Sequence, residues 1–147
     1  LNDLIAETTE PNLYVTSFTA KLNLNKKKIT YINAGHNFPF IIRRDKLIKL
    51  DESSLALGLF PNISYGVTEL EIRPKDILVF YTDGIVEAEN IKGEQYSFDR
   101  LVQFIRMHDA IPAEKIKKKF IDELKGFITK SFFDDDVTFI IVKIKPY

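Results

Sequence analysis

The sequence predicts an α+β fold in a single domain over residues 1–147, with strands in the interior and helices packed outside. Three observations lead to this prediction. Residues 13–48 alternate mostly with period two, as short antiparallel strands do. Residues 77–82, ILVFYT, are apolar on both faces, which is typical of a central strand covered on both sides. Two later stretches, residues 97–108 and 112–130, have apolar residues at helical spacing.

The first half of the chain is predicted to be a meander of strands separated by polar turns. One face of the first strand collects Tyr14, Thr16, Phe18, Ala20 and Leu22. The polar NLNKKK leads into KITYIN, and AGHN is followed by FPFIIR, a turn at Arg44-Asp45, and KLIKL. Residues 51–64 contain the Ser, Gly and Pro residues of a loop. VTELEI then alternates as a half-buried strand, and Pro74-Lys75-Asp76 turns the chain into ILVFYT.

The helices have recognisable starts and apolar faces. Ser97 is a candidate cap for the first of them, and Pro112 lies near the first turn of the second. The apolar positions are Leu101, Phe104 and Ile105 in the first helix and Ile116, Phe120, Leu124 and Phe127 in the second. The last element is a β-rich strand, VTFIIVKI, that follows three aspartates.

Composition narrows the function classes. The chain has 45% hydrophobic residues, 29% charged residues and a formal net charge of zero, so nothing in it indicates a nucleic-acid or membrane-surface partner. It has no cysteine, which excludes disulfides and thiolate chemistry and fits a reducing, cytoplasmic location. Cysteine and histidine are the usual zinc ligands, and the only histidines are His36 and His108, so a zinc site is disfavoured. Any metal would be a hard cation such as Mg²⁺, Mn²⁺ or Ca²⁺.

Two acidic stretches are candidate metal ligands. Asp83-Gly84 ends the apolar strand 77–82, and Asp134-Asp135-Asp136 precedes the last strand. Taken alone, the first pattern is more typical of an ordinary turn and the second of a hydrophilic loop. If the two strands are antiparallel neighbours, however, the carboxylates meet at one edge of the sheet, which is how a hard-cation site is built on rigid supports.

A third candidate stretch is Asn33-Ala34-Gly35-His36-Asn37, between two predicted strands. A tight hairpin or bulge is the simpler interpretation. His36 could also act as a general acid, although an isolated loop histidine is more often structural or solvated. The lysines at 115, 117, 118 and 119 are interpreted as the solvated face of a helix.

Four of these stretches occur together in the order and spacing of one family. They are YINAGHNFPFIIR, LGLFPNISYGVTELEIRPKDILVFYTDGIVEAEN, GEQYSFDRL and DDVTFIIV. The chain resembles, over nearly its whole length, the bacterial metal-dependent protein serine/threonine phosphatases of the stage II sporulation protein E type, relatives of the protein phosphatase 2C class. The resemblance implies an α-β-β-α sandwich of two antiparallel sheets flanked by helices.

The resemblance also implies a site and a reaction. Two Mn²⁺ or Mg²⁺ ions are held by aspartates at strand ends in an intact domain. By motif match Asp83 and Asp135 are metal ligands here, and Gly84, Asp136 and His36 are supporting residues. A metal-activated water then attacks the phosphorus of phosphoserine or phosphothreonine, with no phosphoenzyme.

Some features depart from the family pattern. The Gly-Asp motif whose aspartate bridges the two metals is absent, because none of the six glycines precedes an aspartate. LNDLIAET has helical spacing but no N-terminal cap. We therefore expect the C-terminal portion of a phosphatase domain, lacking the N-terminal strands and most of the first helix, with an incomplete metal site. Lys75 and Ser97 stand where the family usually has glycine.

Two hypotheses about function stay open. The first is a phosphatase acting on a phosphoprotein, such as an anti-sigma-factor antagonist, and inactive or weak as this fragment. The second is a non-catalytic regulatory or partner-binding module on the same fold. Sheet edges exposed by truncation would favour self-association. We expect a cytoplasmic location without membrane contact by this chain, in a parent that can be attached to a membrane sensor.

Overall fold

The computed structural model describes residues 1–8, 10, 13–128 and 135–145, which form two compact units. The first unit is Leu1–Phe38 with Leu50–Arg73, and the second is Pro39–Lys49 with Pro74–Tyr147. No described helix is long and apolar enough to cross a membrane. The elements in chain order are α1 (Asn2–Thr8), β1 (Ser17–Asn23), β2 (Lys28–Ala34), β3 (Phe40–Arg43), β4 (Lys46–Lys49), β5 (Thr68–Glu71), β6 (Ile77–Tyr81), α2 (Asp83–Val86), α3 (Phe98–Met107), α4 (Ala113–Ile128) and β7 (Phe139–Lys143).

The first unit is built on a three-stranded antiparallel sheet in the order β1-β2-β5. β1 and β2 form a hairpin in which Ser17 pairs with Ala34, and Lys28 of β2 pairs with Glu71 of β5. The first strand begins later than predicted: β1 begins at Ser17, so Tyr14 and Thr16 precede it, and Val15 instead forms a bridge with Leu57. The alternation predicted for VTELEI is confirmed: Leu70 is half-buried and its neighbours in β5, Glu69 and Glu71, are exposed.

A buried asparagine fixes α1 within this unit. Asn2 Oδ1 accepts hydrogen bonds from Gly58 N at 3.0 Å and Tyr65 Oη at 2.9 Å, and its Nδ2 donates to Phe60 O at 2.9 Å. These bonds satisfy both polar atoms of a side chain that is only 7% exposed, so the helix is held against the loop that follows Leu57.

The second unit contains a four-stranded antiparallel sheet in the order β4-β3-β6-β7. β6 is a central strand, as predicted, with Ile42 of β3 on one side of Ile77 and Lys143 of β7 on the other. Residues on both of its faces are buried, which explains the uninterrupted apolar run; Leu78 on one face and Val79 on the other are fully inaccessible.

The helices α3 and α4 bury their apolar faces in the same core as β6. The buried residues are Leu101, Val102, Phe104 and Ile105 in α3 and Ile116, Phe120, Leu124 and Ile128 in α4. Phe127 is only partly buried. Aromatic edges contribute to this core, with the Phe104 and Phe120 rings 5.2 Å apart. The amphipathic spacing therefore identified the buried stripe, while Thr129 and Lys130 of the predicted helix lie outside the described residues.

The two residues that stand where the family usually has glycine both have a positive φ angle. Lys75 and Ser97 each have φ of 72°. Ser97 is nevertheless the cap of α3, as predicted, because its side chain accepts from Arg100 N at 3.4 Å. Positive φ is the conformation that glycine adopts at least cost, so the usual residue type at these positions has a backbone explanation.

Candidate metal centre

The site begins where β6 ends. Thr82 continues the chain from Tyr81, and its N–H donates to Thr138 O at 3.2 Å beyond the last pair of the β6–β7 ladder. The Thr82 hydroxyl donates to Asp136 O at 3.0 Å and accepts from Thr138 N at 2.8 Å. One threonine therefore joins the end of β6 to the segment that leads into β7.

Asp83 is the first residue of α2, a single helical turn that the sequence did not predict. The turn is closed by Ile85 N donating to Thr82 O at 3.1 Å and by Glu87 N donating to Asp83 O at 2.9 Å. Asp83 Oδ1 accepts from Gly84 N at 3.1 Å, and the residue is exposed. The carboxylate is thus held at the N-terminal end of a rigid turn while remaining open to solvent.

Gly84 allows the two acidic segments to approach closely. A Cβ atom added to Gly84 would lie 2.5 Å from Asp136 O, 3.2 Å from Asp136 C and 3.5 Å from Asp135 C. The first distance is shorter than real Cβ contacts allow, so the backbone of residues 135–136 occupies the space that a side chain would need. Close backbone approach is therefore the structural role of this glycine.

The second acidic segment lies immediately before β7. Asp135 and Asp136 are both exposed, and Asp135 Oδ1 accepts from Asp136 N at 2.7 Å. Asp134 lies outside the described residues. The antiparallel pairing of β6 with β7, on which the site prediction depended, is confirmed, and it brings Asp83 and the pair 135–136 to the same end of the sheet.

The charges at this end are not neutralised within the described part of the chain. No Lys, Arg or His there forms an ion pair with Asp83, Asp135 or Asp136. Like charges close together favour binding of a cation, and carboxylate oxygens are the ligands that Mg²⁺ and Mn²⁺ prefer. The donor chemistry therefore fits a hard divalent ion.

The number of ligands is small. The described residues contain no group of three or more His, Cys, Asp or Glu side chains placed to hold a metal ion. Since hard cations take about six or more oxygen ligands, water would have to complete the coordination of an ion held by these acids.

His36 belongs to the first unit, whereas the acids belong to the second. Asn33, which is buried, fixes the His36 backbone: Asn33 Oδ1 accepts from His36 N at 2.8 Å and Asn33 Nδ2 donates to His36 O at 3.0 Å. His36 Nδ1 lies 3.4 Å from Thr16 Oγ1. A hairpin at NAGHN is wrong, because β2 and β3 lie in different sheets. Gly35 does have a positive φ, 69°, and a general-acid role for His36 stays a prediction.

Thr82 is the residue of this site that sequence reasoning missed. The apolar pattern places it as the last residue of a strand and predicts no role for its hydroxyl. The available signal was a hydroxyl residue directly between a buried strand and Asp-Gly, a place where side chain–backbone hydrogen bonds commonly replace the ladder.

Comparisons with known proteins identify the family of this chain and several relatives. The family described as "Stage II sporulation protein E (SpoIIE)" matches residues 1–145. Protein IcfG of Synechocystis sp. is 31% identical over 143 residues, covering 96% of this chain and 22% of that protein. The phosphoserine phosphatase RsbU of Bacillus subtilis is 25% identical over 147 residues, covering 99% of this chain and 43% of that protein.

The fold agrees with a solved structure as well. The SiaA-PP2C domain of Pseudomonas aeruginosa matches with a TM-score of 0.78 at 15% identity, over 88% of this chain and 52% of that one. This likeness confirms the predicted PP2C-like α+β fold with two antiparallel sheets. The chain spans less than half the length of the two relatives named above.

Proposed function

The chain belongs to the stage II sporulation protein E (SpoIIE) family, and from that membership we propose that it is part of a metal-dependent protein phosphatase domain. The proposed reaction is hydrolysis of phosphoserine or phosphothreonine on a regulatory protein, such as an anti-sigma-factor antagonist. The observation that carries the proposal is the β6–β7 pairing, which brings the exposed carboxylates of Asp83 and Asp135 to one end of the sheet.

In this proposal Asp83 and Asp135 hold Mn²⁺ or Mg²⁺. When bound, the metal supplies an activated water and neutralises charge on the phosphoryl oxygens. Gly84 keeps the two acidic segments in contact by leaving room for the Asp136 carbonyl, and Asp136 adds negative charge beside the ligands. His36 keeps its predicted supporting role, to which no step of the reaction is assigned.

Two carboxylates give weak metal affinity, so binding is best followed by a method that locates the ion. We expect added Mn²⁺ to broaden the amide NMR signals of Gly84, Asp135 and Asp136 before other signals, because paramagnetic relaxation falls steeply with distance. Asp83→Asn removes one ligand charge and should weaken this broadening by about tenfold or more in Mn²⁺ concentration.

Asp122→Asn is the matched control, since Asp122 is an exposed aspartate on α4 in the same unit. It should leave the broadening at Gly84 and Asp135 unchanged. Equal weakening by both substitutions, or broadening that is spread over all exposed acids, would contradict a site at Asp83 and Asp135.

Activity is tested in the full-length protein with Mn²⁺ and a phosphoserine substrate protein. Asp83→Asn should lower kcat/KM by about a hundredfold or more, because the metal ligand acts in the chemical step. A full-length protein that binds Mn²⁺ and the phosphoprotein without releasing phosphate would instead identify the non-catalytic module.

A further inference from the structure

The opposite end of the second unit's sheet carries a cavity with an excess of positive charge. Arg44 follows β3, Lys75 precedes β6, and Lys143 and Lys145 lie at the end of β7 and just beyond it. All four side chains line this cavity, together with one acid, Asp109. A local balance of four cations to one carboxylate stands out in a chain whose formal net charge is zero.

The floor of the cavity is apolar. Ile42, Ile77 and Ile144 line it, and these residues are only 2%, 2% and 6% exposed. Its volume is about 510 Å³, within the usual range of ligand pockets. An apolar floor below a cationic rim suits an occupant that has both an apolar side chain and negative charge.

Lys143 supplies a fixed charge at the cavity wall. Its ammonium group donates to Asp109 O at 2.5 Å and to Ile111 O at 2.7 Å, which holds the side chain against the segment after α3. An ammonium group has three hydrogens, so one donor remains. No carboxylate in the described ranges forms an ion pair with it.

Arg44 and Lys75 are held at conformations that disfavour a side chain. Their φ angles are 54° and 72°, in the left-handed region where glycine is the usual residue, so each position carries a conformational cost. Both side chains are exposed, and neither has a hydrogen bond or ion pair to another described residue. Cations at two strained turns, with no side-chain partner among the described residues, indicate a role for the side chains themselves.

The two turns are also tied together. Arg43 Nε donates to Asp76 Oδ1 at 2.9 Å and Arg43 Nη2 to Asp76 Oδ2 at 2.7 Å, and the Asp76 side chain is 1% exposed. Arg43 precedes Arg44 and Asp76 follows Lys75, so this bidentate pair fixes the backbones that carry the two free cations. The cationic rim is preorganised.

We propose that this cavity is a docking site for an acidic segment of a partner protein, which places a large apolar side chain over Ile42, Ile77 and Ile144 and its carboxylates against Arg44, Lys75 and Lys145. β6 separates the cavity from Asp83 by five strand residues, roughly 16 Å at 3.3 Å per residue. The docking site is therefore distinct from the candidate metal centre, and it does not depend on phosphatase activity.

The test is fluorescence anisotropy at low ionic strength with a labelled peptide that has two acidic residues on each side of a Leu-Phe pair. Saturable binding with a Kd below about 1 mM is expected. It should weaken with added salt, because screening reduces attraction between exposed charges. Replacing the Leu-Phe pair by Gly-Ser should weaken binding by about twofold, because Ile42, Ile77 and Ile144 offer little accessible apolar area to cover.

The variants Arg44→Gly and Lys75→Gly remove the cations while giving each turn the residue that its backbone favours, so folding is preserved. Together they should weaken peptide binding by about tenfold. Lys27→Gly is the matched control, because Lys27 also has positive φ, 53°, but lies in the β1–β2 turn of the first unit.

Several results would overturn the proposal. These are no saturable binding, unchanged affinity in the Arg44→Gly, Lys75→Gly double variant, equal weakening by Lys27→Gly, or displacement of the peptide by inorganic phosphate as effectively as by unlabelled peptide. The last result would identify a site for small anions in place of a docking site for protein.

Discussion

Substituting Gly84 by alanine tests whether the contact between the two acidic segments is as close as the structure has it. The new Cβ would lie 2.5 Å from Asp136 O, and contacts below 3.0 Å essentially never occur. The obstructing atom is a backbone carbonyl, which cannot rotate away, so the segment at 135–136 has to move by about half an ångström or more. Overpacking of this kind costs about 1–3 kcal/mol.

A second effect of the same substitution has the opposite sign. Alanine is preferred over glycine inside a helix by about 1 kcal/mol, and Gly84 lies within α2. That preference is only partly realised in a single turn of four residues. We therefore expect Gly84→Ala to lower the free energy of unfolding by about 1–2 kcal/mol, and to weaken the Mn²⁺-induced broadening at Asp135 because the acidic segments separate.

Gly126→Ala provides the control with the opposite expected sign. Gly126 is exposed in α4, and a Cβ added there would meet nothing within 4 Å. This substitution should raise the free energy of unfolding by up to about 1 kcal/mol. Urea unfolding followed by circular dichroism measures both values. A Gly84→Ala variant as stable as the wild type, with Mn²⁺ broadening unchanged, would refute the inferred contact.

Two further predictions concern the second unit. Asp76→Asn should lower the free energy of unfolding by about 3 kcal/mol in urea titrations, since it leaves the half-buried Arg43 without its bidentate carboxylate; a loss below 1 kcal/mol would contradict this. Burial, and then the hydrogen bond to Glu123, raises the pKa of Tyr96 far above its usual value, and burial raises the pKa of Tyr81 to about 12. Tyrosine in the unfolded chain ionises near pH 10. The stability that depends on keeping these two buried hydroxyls protonated is therefore fully present below about pH 10 and is lost as the pH rises further. Tyr96→Phe should make that fall shallower by up to about 1.4 kcal/mol per pH unit, and an unchanged slope in urea titrations at several pH values would contradict the prediction.

Local pattern was enough to predict most of the elements. β6 and α4 were recognisable because burial on both faces leaves an uninterrupted apolar run and burial on one face of a helix leaves a stripe. From the sequence, the pairing of β6 with β7 could only be assumed, because Thr82 and Asp136 are 54 positions apart along the chain. Pairing partners at such separation are set by the register of whole strands, which no local pattern records.

The turn conformations could not be predicted from the residues present. Arg44 and Lys75 are not residue types that favour positive φ, and the only indication of a left-handed backbone was the glycine that the family usually has at position 75. Strand pairing imposes that geometry: the hairpin between β3 and β4 closes with Arg43 opposite Lys46, which leaves Arg44 and Asp45 as a two-residue loop. A two-residue hairpin loop with positive φ at its first position normally contains glycine there.

The choice between a turn residue and a metal ligand at Asp83 is not exclusive. Asp83 Oδ1 accepts from the N–H of the next residue, as a turn aspartate does, and Asp135 Oδ1 makes the same bond to Asp136 N. In both acids that bond orients the carboxylate and leaves Oδ2 without a hydrogen bond to any described residue. In the proposed site, this local turn geometry would leave one oxygen of each aspartate open to a cation, and the β6–β7 pairing brings the two acidic segments to the same end of the sheet.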